Sequence, residues 1–240
     1  MNILAIETSN PWCSIAIQNT NGGISSINAI KENSHGVLIF KYIDECLRDA
    51  EISKEDLNLI LISNGPGSFT GLRVGCSVAQ GLALGLGIEI IPYSSLKVIA
   101  QSYFSPKFAY SDAQEAIGSE IKIIQDAHMN DLYIGHYVKN DLGIAEEVCG
   151  DFVLKKDQLS SFLKKDYKGS YTGDKGYLGE KKTWFKKLFR KTDSYFYFPP
   201  TATYLLEIAK YDLQNKDLRK KPEEVFPVYL SGSDQWVKKE

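Results

Sequence analysis

The loop Gly65-Pro66-Gly67-Ser68-Phe69-Thr70 joins an apolar run, residues 57–63, to a stretch of helical spacing from Gly71 to Leu86. A strand feeding a helix N-terminus presents backbone N–H groups at the positive end of the helix dipole, and glycines let a phosphate come close to them. The GxxxxGK[ST] pattern is missing, because Gly71 is followed by Leu72 and Arg73, so this is not a Walker A loop. A tight turn in which Ser68 or Thr70 caps the helix is the plain alternative. Arg73 could grip a phosphate or bond to another element. Ser94-Ser95 lacks the G-x-S-x-G elbow of a nucleophile and reads as the N-cap of a helix over 96–103. His128 beside Asp126 could do acid–base work, but a lone imidazole in a hairpin is first of all surface polarity. The cysteines, Cys13, Cys46, Cys76 and Cys149, form no CxxC pair and read as buried free thiols.

The elements that must position these residues begin with strands at 2–7, 13–18 and 24–30, the last two joined by the turn Asn21-Gly22-Gly23. A helix follows over 36–50, with Ile39, Ile43, Cys46, Leu47 and Ala50 on one face. Leu38, Phe40 and Tyr42 point elsewhere, so its first half is apolar almost all round and needs burial or a covering partner. A strand at 57–63, the glycine helix, a strand at 88–92 and a helix at 94–103 complete a βββαβαβ order, a mixed sheet with helices. Within the glycine helix, Gly71, Gly75, Ala79 and Ala83 lie four apart and form a ridge of small side chains. Val74, Val78, Leu82 and Leu86 form the next ridge, and Gly81 and Gly85 add small positions. Each glycine costs a helix about 1 kcal/mol against alanine, so close approach to a strand, a helix or another subunit must compensate.

Beyond Tyr103 the pattern weakens. Residues 105–118 read as a connection, 121–126 and 132–138 as strands, 155–192 as irregular surface, 202–214 as a helix and 222–236 as extended. The expected division is 1–104 and 105–240, with helix 202–214 packing back on the first part. The chain has 240 residues, 43% hydrophobic and 24% charged, with net charge −2. No broad basic field exists to hold nucleic acid alone. The basic, aromatic run Lys181–Lys187 reads as a solvated surface helix. No apolar stretch reaches the ~18 residues that span a bilayer, and the opening run is broken at Glu7, so a cytoplasmic location is expected.

In order along the chain, Ile6–Ser9 (IETS), Ser63–Arg73 (SNGPGSFTGLR), Val74–Gly85, Tyr93–Leu96 (YSSL), Asp126–Tyr133 (DAHMNDLY) and Pro227–Leu230 (PVYL) resemble the bacterial TsaB, or YeaZ, family. The likeness is dense over 1–100 and patchy beyond. It implies an α/β fold of the actin, Hsp70 and sugar-kinase type with two related domains of mixed sheet and flanking helices. It implies a part in making threonylcarbamoyladenosine beside the anticodon of tRNAs that read codons starting with A. The implied role is a non-catalytic subunit that pairs with the related transferase TsaD and joins the ATPase TsaE, contacts tRNA mainly through that complex and pairs with its own copy when alone. The partner-binding residues expected are Leu38, Tyr42, Gly71, Arg73, Gly75, Val78, Ala79 and Leu82.

TsaD follows the same glycine helix with an H-x-x-x-H pair, two imidazoles on one helix face able to hold a metal. Here Ser95 and Ile99 occupy those positions, and neither is a competent ligand for iron or zinc. No metal and no catalytic residue is therefore expected. The fold's first phosphate hairpin corresponds to Glu7-Thr8-Ser9-Asn10, and its second, 126–130, lacks glycines. No cofactor is required on this reading, although Glu7, Thr8, Ser9, Gly65, Gly67 and Ser68 leave room for weak nucleotide binding. Two rivals are weighed: an independent kinase of this fold, which needs a catalytic Asp in a Gly-rich context, and a peptidase, which needs metal ligands or a nucleophile–base pair. The sequence offers neither.

Overall fold

A computed structural model describes residues 1–30, 35–105, 116–127, 130–163, 170–173, 195–196 and 199–230. The chain divides into two compact units, Met1–Val98 with Pro200–Tyr229, and Ile99–Pro199 with Leu230–Glu240.

The first unit is built on a five-stranded sheet in the order β3-β2-β1-β4-β5. β1 (Ile3–Glu7), β2 (Trp12–Gln18) and β3 (Ile24–Ile30) form an antiparallel meander, with Ile3 opposite Gln18 and Glu7 opposite Ser14. β4 (Leu59–Gly65) runs parallel to β1, and β5 (Glu89–Ser94) parallel to β4. α1 (His35–Asp49) lies on β2 and β3, and α2 (Phe69–Leu86) on β4, β1 and β5. They share a core with Leu4, Ile6, Ile15, Ile17, Ile60 and Ile62. α5 (Ala202–Asp212) packs on β1, β2 and β4, where the alternate residues Ile3, Ala5, Ala16 and Leu61 are also fully buried. Strands covered on both faces need apolar residues at every position, which is why β1 and β4 read as unbroken apolar runs. Their order and that of the helices between them are as the spacing predicts.

The outer edge of β5 is covered. Ile90 and Lys220 exchange backbone hydrogen bonds of 2.9 and 2.8 Å. Tyr93 donates its hydroxyl to Asp212 at 3.0 Å, and Ala202 N–H donates to Ser14 Oγ at 2.7 Å, tying α5 to the sheet.

α3 (Ser95–Phe104) carries the chain from one unit to the other. The second unit repeats the strand plan in the order β10-β9-β6-β7-β8. β6 (Glu120–Asp126), β7 (Asp131–Lys139) and β8 (Ala145–Lys155) are an antiparallel meander. β9 (Ser170–Gly173) is parallel to β6 and β10 (Tyr195–Phe196) to β9. A short helix, α4 (Leu159–Leu163), follows β8. Gln101 pins the β7–β8 connection, accepting from Ala145 N–H at 2.9 Å and donating to the Gly143 carbonyl at 3.3 Å. This duplicated three-up, two-parallel sheet is the actin, Hsp70 and sugar-kinase architecture that the resemblance implies. β8, α4, β9 and β10 are additions to the sequence reading. The expected features at His128, Lys181–Lys187 and 231–236 lie outside the described residues.

Candidate functional site

The β1–β2 turn, the β4–α2 loop and the first turns of α2 meet at one place in the first unit. Glu7 ends β1 with a completely buried side chain. Its Oε1 accepts from Ser9 N–H at 2.7 Å, Ser9 Oγ at 2.5 Å and Asn10 Nδ2 at 3.2 Å, and its Oε2 accepts from the Ser63 hydroxyl. Burial drives its pKa from 4.5 up to about 7, against the opposing pull of those four donors. A carboxyl so enclosed works as an anchor that fixes the turn. Ser63 and Asn10 are among its partners, and the sequence placed both in motifs without showing that they bond to Glu7.

The glycines of the loop serve the same closure. Gly65 and Gly67 have φ of +135° and +157°, backbone that side chains rarely adopt. A Cβ on Gly67 would overlap the Ser9 carbonyl, and one on Gly65 the Val228 carbonyl. Ser68 N–H donates to the Ser9 carbonyl at 2.6 Å, and Ser68 Oγ accepts from Gly71 N–H at 3.2 Å as the N-cap of α2. Thr8 Oγ1 donates to the Gly71 carbonyl at 2.8 Å. The structure thus brings together all six residues expected for nucleotide, Glu7, Thr8, Ser9, Gly65, Gly67 and Ser68. The close approach that glycine permits here admits Ser9, Thr8 and Val228, and the N–H groups of Ser9, Ser68 and Gly71 already have acceptors inside the chain.

The residues expected to bind a partner lie at different depths. Gly71, Gly75 and Ala79 lie on the inner side of α2, all buried. A Cβ on Gly71 would overlap the Thr8 carbonyl, and one on Gly75 the Thr8 hydroxyl. Their small size lets α2 sit on the β1–β2 turn, so they face the inside of the fold. Val78 is also buried, and Tyr42 and Leu82 are half-buried against the same core. Leu38 is half-buried. The outer face of α2 instead carries Phe69, Arg73, Ser77, Gly81, Leu84 and Gly85, all exposed. A Cβ on Gly81 or Gly85 would meet nothing within 4 Å. Their cost to the helix is offset by no contact among the described residues. Leu84 is 74% exposed, and Phe40 on α1 is 51% exposed.

Arg73 joins two elements that are far apart in the sequence. Its guanidinium carbon stands 3.6 Å from the centre of the Phe69 ring, and its Nε donates to the Tyr229 hydroxyl at 3.0 Å. Tyr229 belongs to an extended segment held by Val228 N–H to the Asn64 carbonyl, 2.7 Å, and Asn64 Nδ2 to the Phe226 carbonyl, 3.0 Å.

On α3, Ser94 Oγ caps the helix, accepting from Leu96 N–H at 3.1 Å and Lys97 N–H at 3.3 Å. Ser95 and Ile99, expected at the metal-ligand positions of the related transferase, are buried. His136 is bonded to Glu120 at 2.9 Å. Cys13, Cys46 and Cys76 are buried thiols, and burial pushes their pKa up to about 11, 11 and 12. Cys149 departs from expectation: it is exposed, because it sits on β8 where the register with β7 slips at His136. Among the described residues no three His, Cys, Asp or Glu side chains converge as metal ligands, and no helix is long and apolar enough to cross a membrane.

The model of the family "TsaD: tRNA N6-adenosine threonylcarbamoyltransferase" matches residues 13–226. The "tRNA threonylcarbamoyladenosine biosynthesis protein TsaB" of Haemophilus influenzae is 29% identical over 245 residues, 99% of this chain and 97% of that protein. Its namesake in Bacillus subtilis is 31% identical, over 69% of this chain and 68% of that protein. The solved structure of YeaZ from Pseudomonas aeruginosa superposes with a TM-score of 0.78 at 23% identity, covering 95% of this chain and 99% of that one. The transferase family model spans most of the chain, the Haemophilus TsaB protein matches it nearly end to end and the Bacillus one over two thirds; the chain belongs to the TsaB (YeaZ) family, within the wider group of TsaD-related proteins.

Proposed function

We propose that this chain is a subunit in the synthesis of threonylcarbamoyladenosine in tRNA, and that it acts by docking on the transferase of that pathway instead of performing the transfer. The observation that carries this reading is the outer face of α1 and α2. Gly81, Leu84 and Gly85 lie exposed on one face of α2 and Phe40 is exposed on α1, and a Cβ on either glycine would meet nothing inside the fold. Two glycines on an open helix face let a second helix approach closely. The partner that fits is the TsaD-type transferase, whose own family model aligns with this chain, and a second copy of this chain takes its place when that partner is absent. The ATPase TsaE completes the assembly, and tRNA is held chiefly by the partners, in keeping with a net charge of −2. The chain needs no cofactor of its own on this reading. A kinase or peptidase reading would need a reactive constellation, and Glu7, the deepest carboxyl, is consumed by its four donors.

The test is threonylcarbamoylation of tRNA in vitro with cognate transferase and ATPase. Product should form with the chain present, fall sharply with Gly81→Leu and be absent with the chain alone. Product from the isolated chain, or full product without it, refutes the reading.

A further inference from the structure

We propose that Arg73 is a preset clamp for a carboxylate on the partner protein that covers the outer face of α2; this rests on the docking reading above and adds the chemistry of the partner's contact. An isolated surface arginine pays rotamer entropy when it binds. Arg73 has already been fixed. Phe69 stacks beneath the guanidinium at 3.6 Å, the Tyr229 ring stands 5.9 Å away, and the Tyr229 hydroxyl takes the Nε hydrogen at 3.0 Å. The two rings lie 5.5 Å apart, tilted by 36°. Tyr229 is held in turn through the Val228–Asn64 and Asn64–Phe226 bonds, and Gly65 makes room for the Val228 carbonyl. Three segments of the first unit therefore cooperate to aim one side chain. With Nε engaged, the two η nitrogens form the remaining edge of the fork, and no group among the described residues takes them. That edge matches a planar, two-oxygen acceptor.

The surroundings decide which acceptor. A nucleobase would need an open aromatic face, and the Phe69 face is already covered by the guanidinium. A nucleic-acid phosphate is held by several cations in a polar setting. Here one arginine stands between two exposed aromatic rings: Phe69 is 55% exposed and Tyr229 45%. Aromatic residues around an arginine are the composition of a protein–protein hot spot. The occupant is a protein segment that places an Asp or Glu beside an apolar side chain, so that the apolar group covers the exposed Phe69 and Tyr229 rings while the carboxylate meets the η nitrogens.

The experiment is titration calorimetry of the full-length chain against the cognate transferase, without tRNA, with a melting curve for each variant. Arg73→Gln should bind about 10- to 100-fold more weakly, with a flatter dependence on salt. Arg73→Lys should fall between the two, because an ammonium cannot supply two parallel bonds. Tyr229→Phe, which keeps the ring and frees Nε, should weaken binding by a few-fold on the order expected for one lost hydrogen bond. Melting temperatures should stay near wild type. Wild-type affinity in Arg73→Gln overturns the clamp while leaving the docking reading intact. A defect that shows only when tRNA is added overturns it in favour of a phosphate. A wild-type chain that does not bind the transferase refutes the docking reading and the clamp together.

Discussion

The two units share a strand plan and spend their turn residues differently. In each, a three-stranded meander is followed by two strands parallel to its first member. At the end of the first strand, unit one places Glu7, fully buried, with glycines that draw α2 down onto Thr8 and Ser9. Unit two places Asp126 and Asp131 there, paired with Lys156 at 3.0 Å and Lys155 at 2.7 Å, all of them reached by solvent. The same topology thus supports a sealed, glycine-dependent joint in one copy and a charged, half-buried one in the other. Strand order alone does not dictate the chemistry of that turn; the residue at the strand end and the glycines opposite it do.

The largest effect should come from forcing the sealed joint open. Gly75→Leu puts a side chain through the Thr8 hydroxyl, so loss of more than about 4 kcal/mol or outright failure to fold is expected in thermal melts. Six residues on, on the exposed face of the same helix, Gly81→Ala should raise stability by roughly 0.5–1 kcal/mol, because its Cβ meets nothing. Equal outcomes at the two positions would erase the distinction between the inner and outer faces of α2.

The pH response of the sealed joint comes next. Glu7 has a folded pKa of about 7 against 4.5 unfolded, so between those values the folded state holds the extra proton. Its contribution is greatest below pH 4.5 and is lost as pH rises, levelling off above about 7. The total is roughly 3 kcal/mol at about 1.4 per pH unit. Glu7→Gln, which keeps the shape, should flatten this slope in urea titrations between about pH 5 and about pH 7. A wild-type slope that survives the substitution would remove Glu7 as its source. The smallest effect belongs to unit two: Asp126→Asn should cost on the order of 1 kcal/mol or less, since its pair with Lys156 is partly solvated.

The sequence made unit one legible because both faces of its sheet are covered, which leaves long apolar runs at β1 and β4 and a 3.6-residue rhythm in α1. It hid β8 because that strand lies at the sheet edge: Glu146, Glu147, Val148, Cys149 and Gly150 are all exposed, and the register slips twice against β7. No alternation survives there to be read. β9 and β10 are too short to carry a pattern. The glycine helix was legible as a place of close approach, and its direction was not. Small residues occur all round α2, so the sequence does not say which face the sheet takes. Leu72, Cys76, Val78, Ala79 and Ala83 settle it in the structure by burying the Gly71–Gly75 side. The Arg73–Tyr229 contact joins residues 156 apart in the chain, beyond the reach of any local pattern.

The most direct test of the docking face is a co-purification of tagged cognate transferase with wild-type chain and with Gly81→Leu. The account predicts that Gly81→Leu folds and melts at or somewhat above wild type but is no longer retained by the transferase. Full retention of a well-folded Gly81→Leu would contradict it.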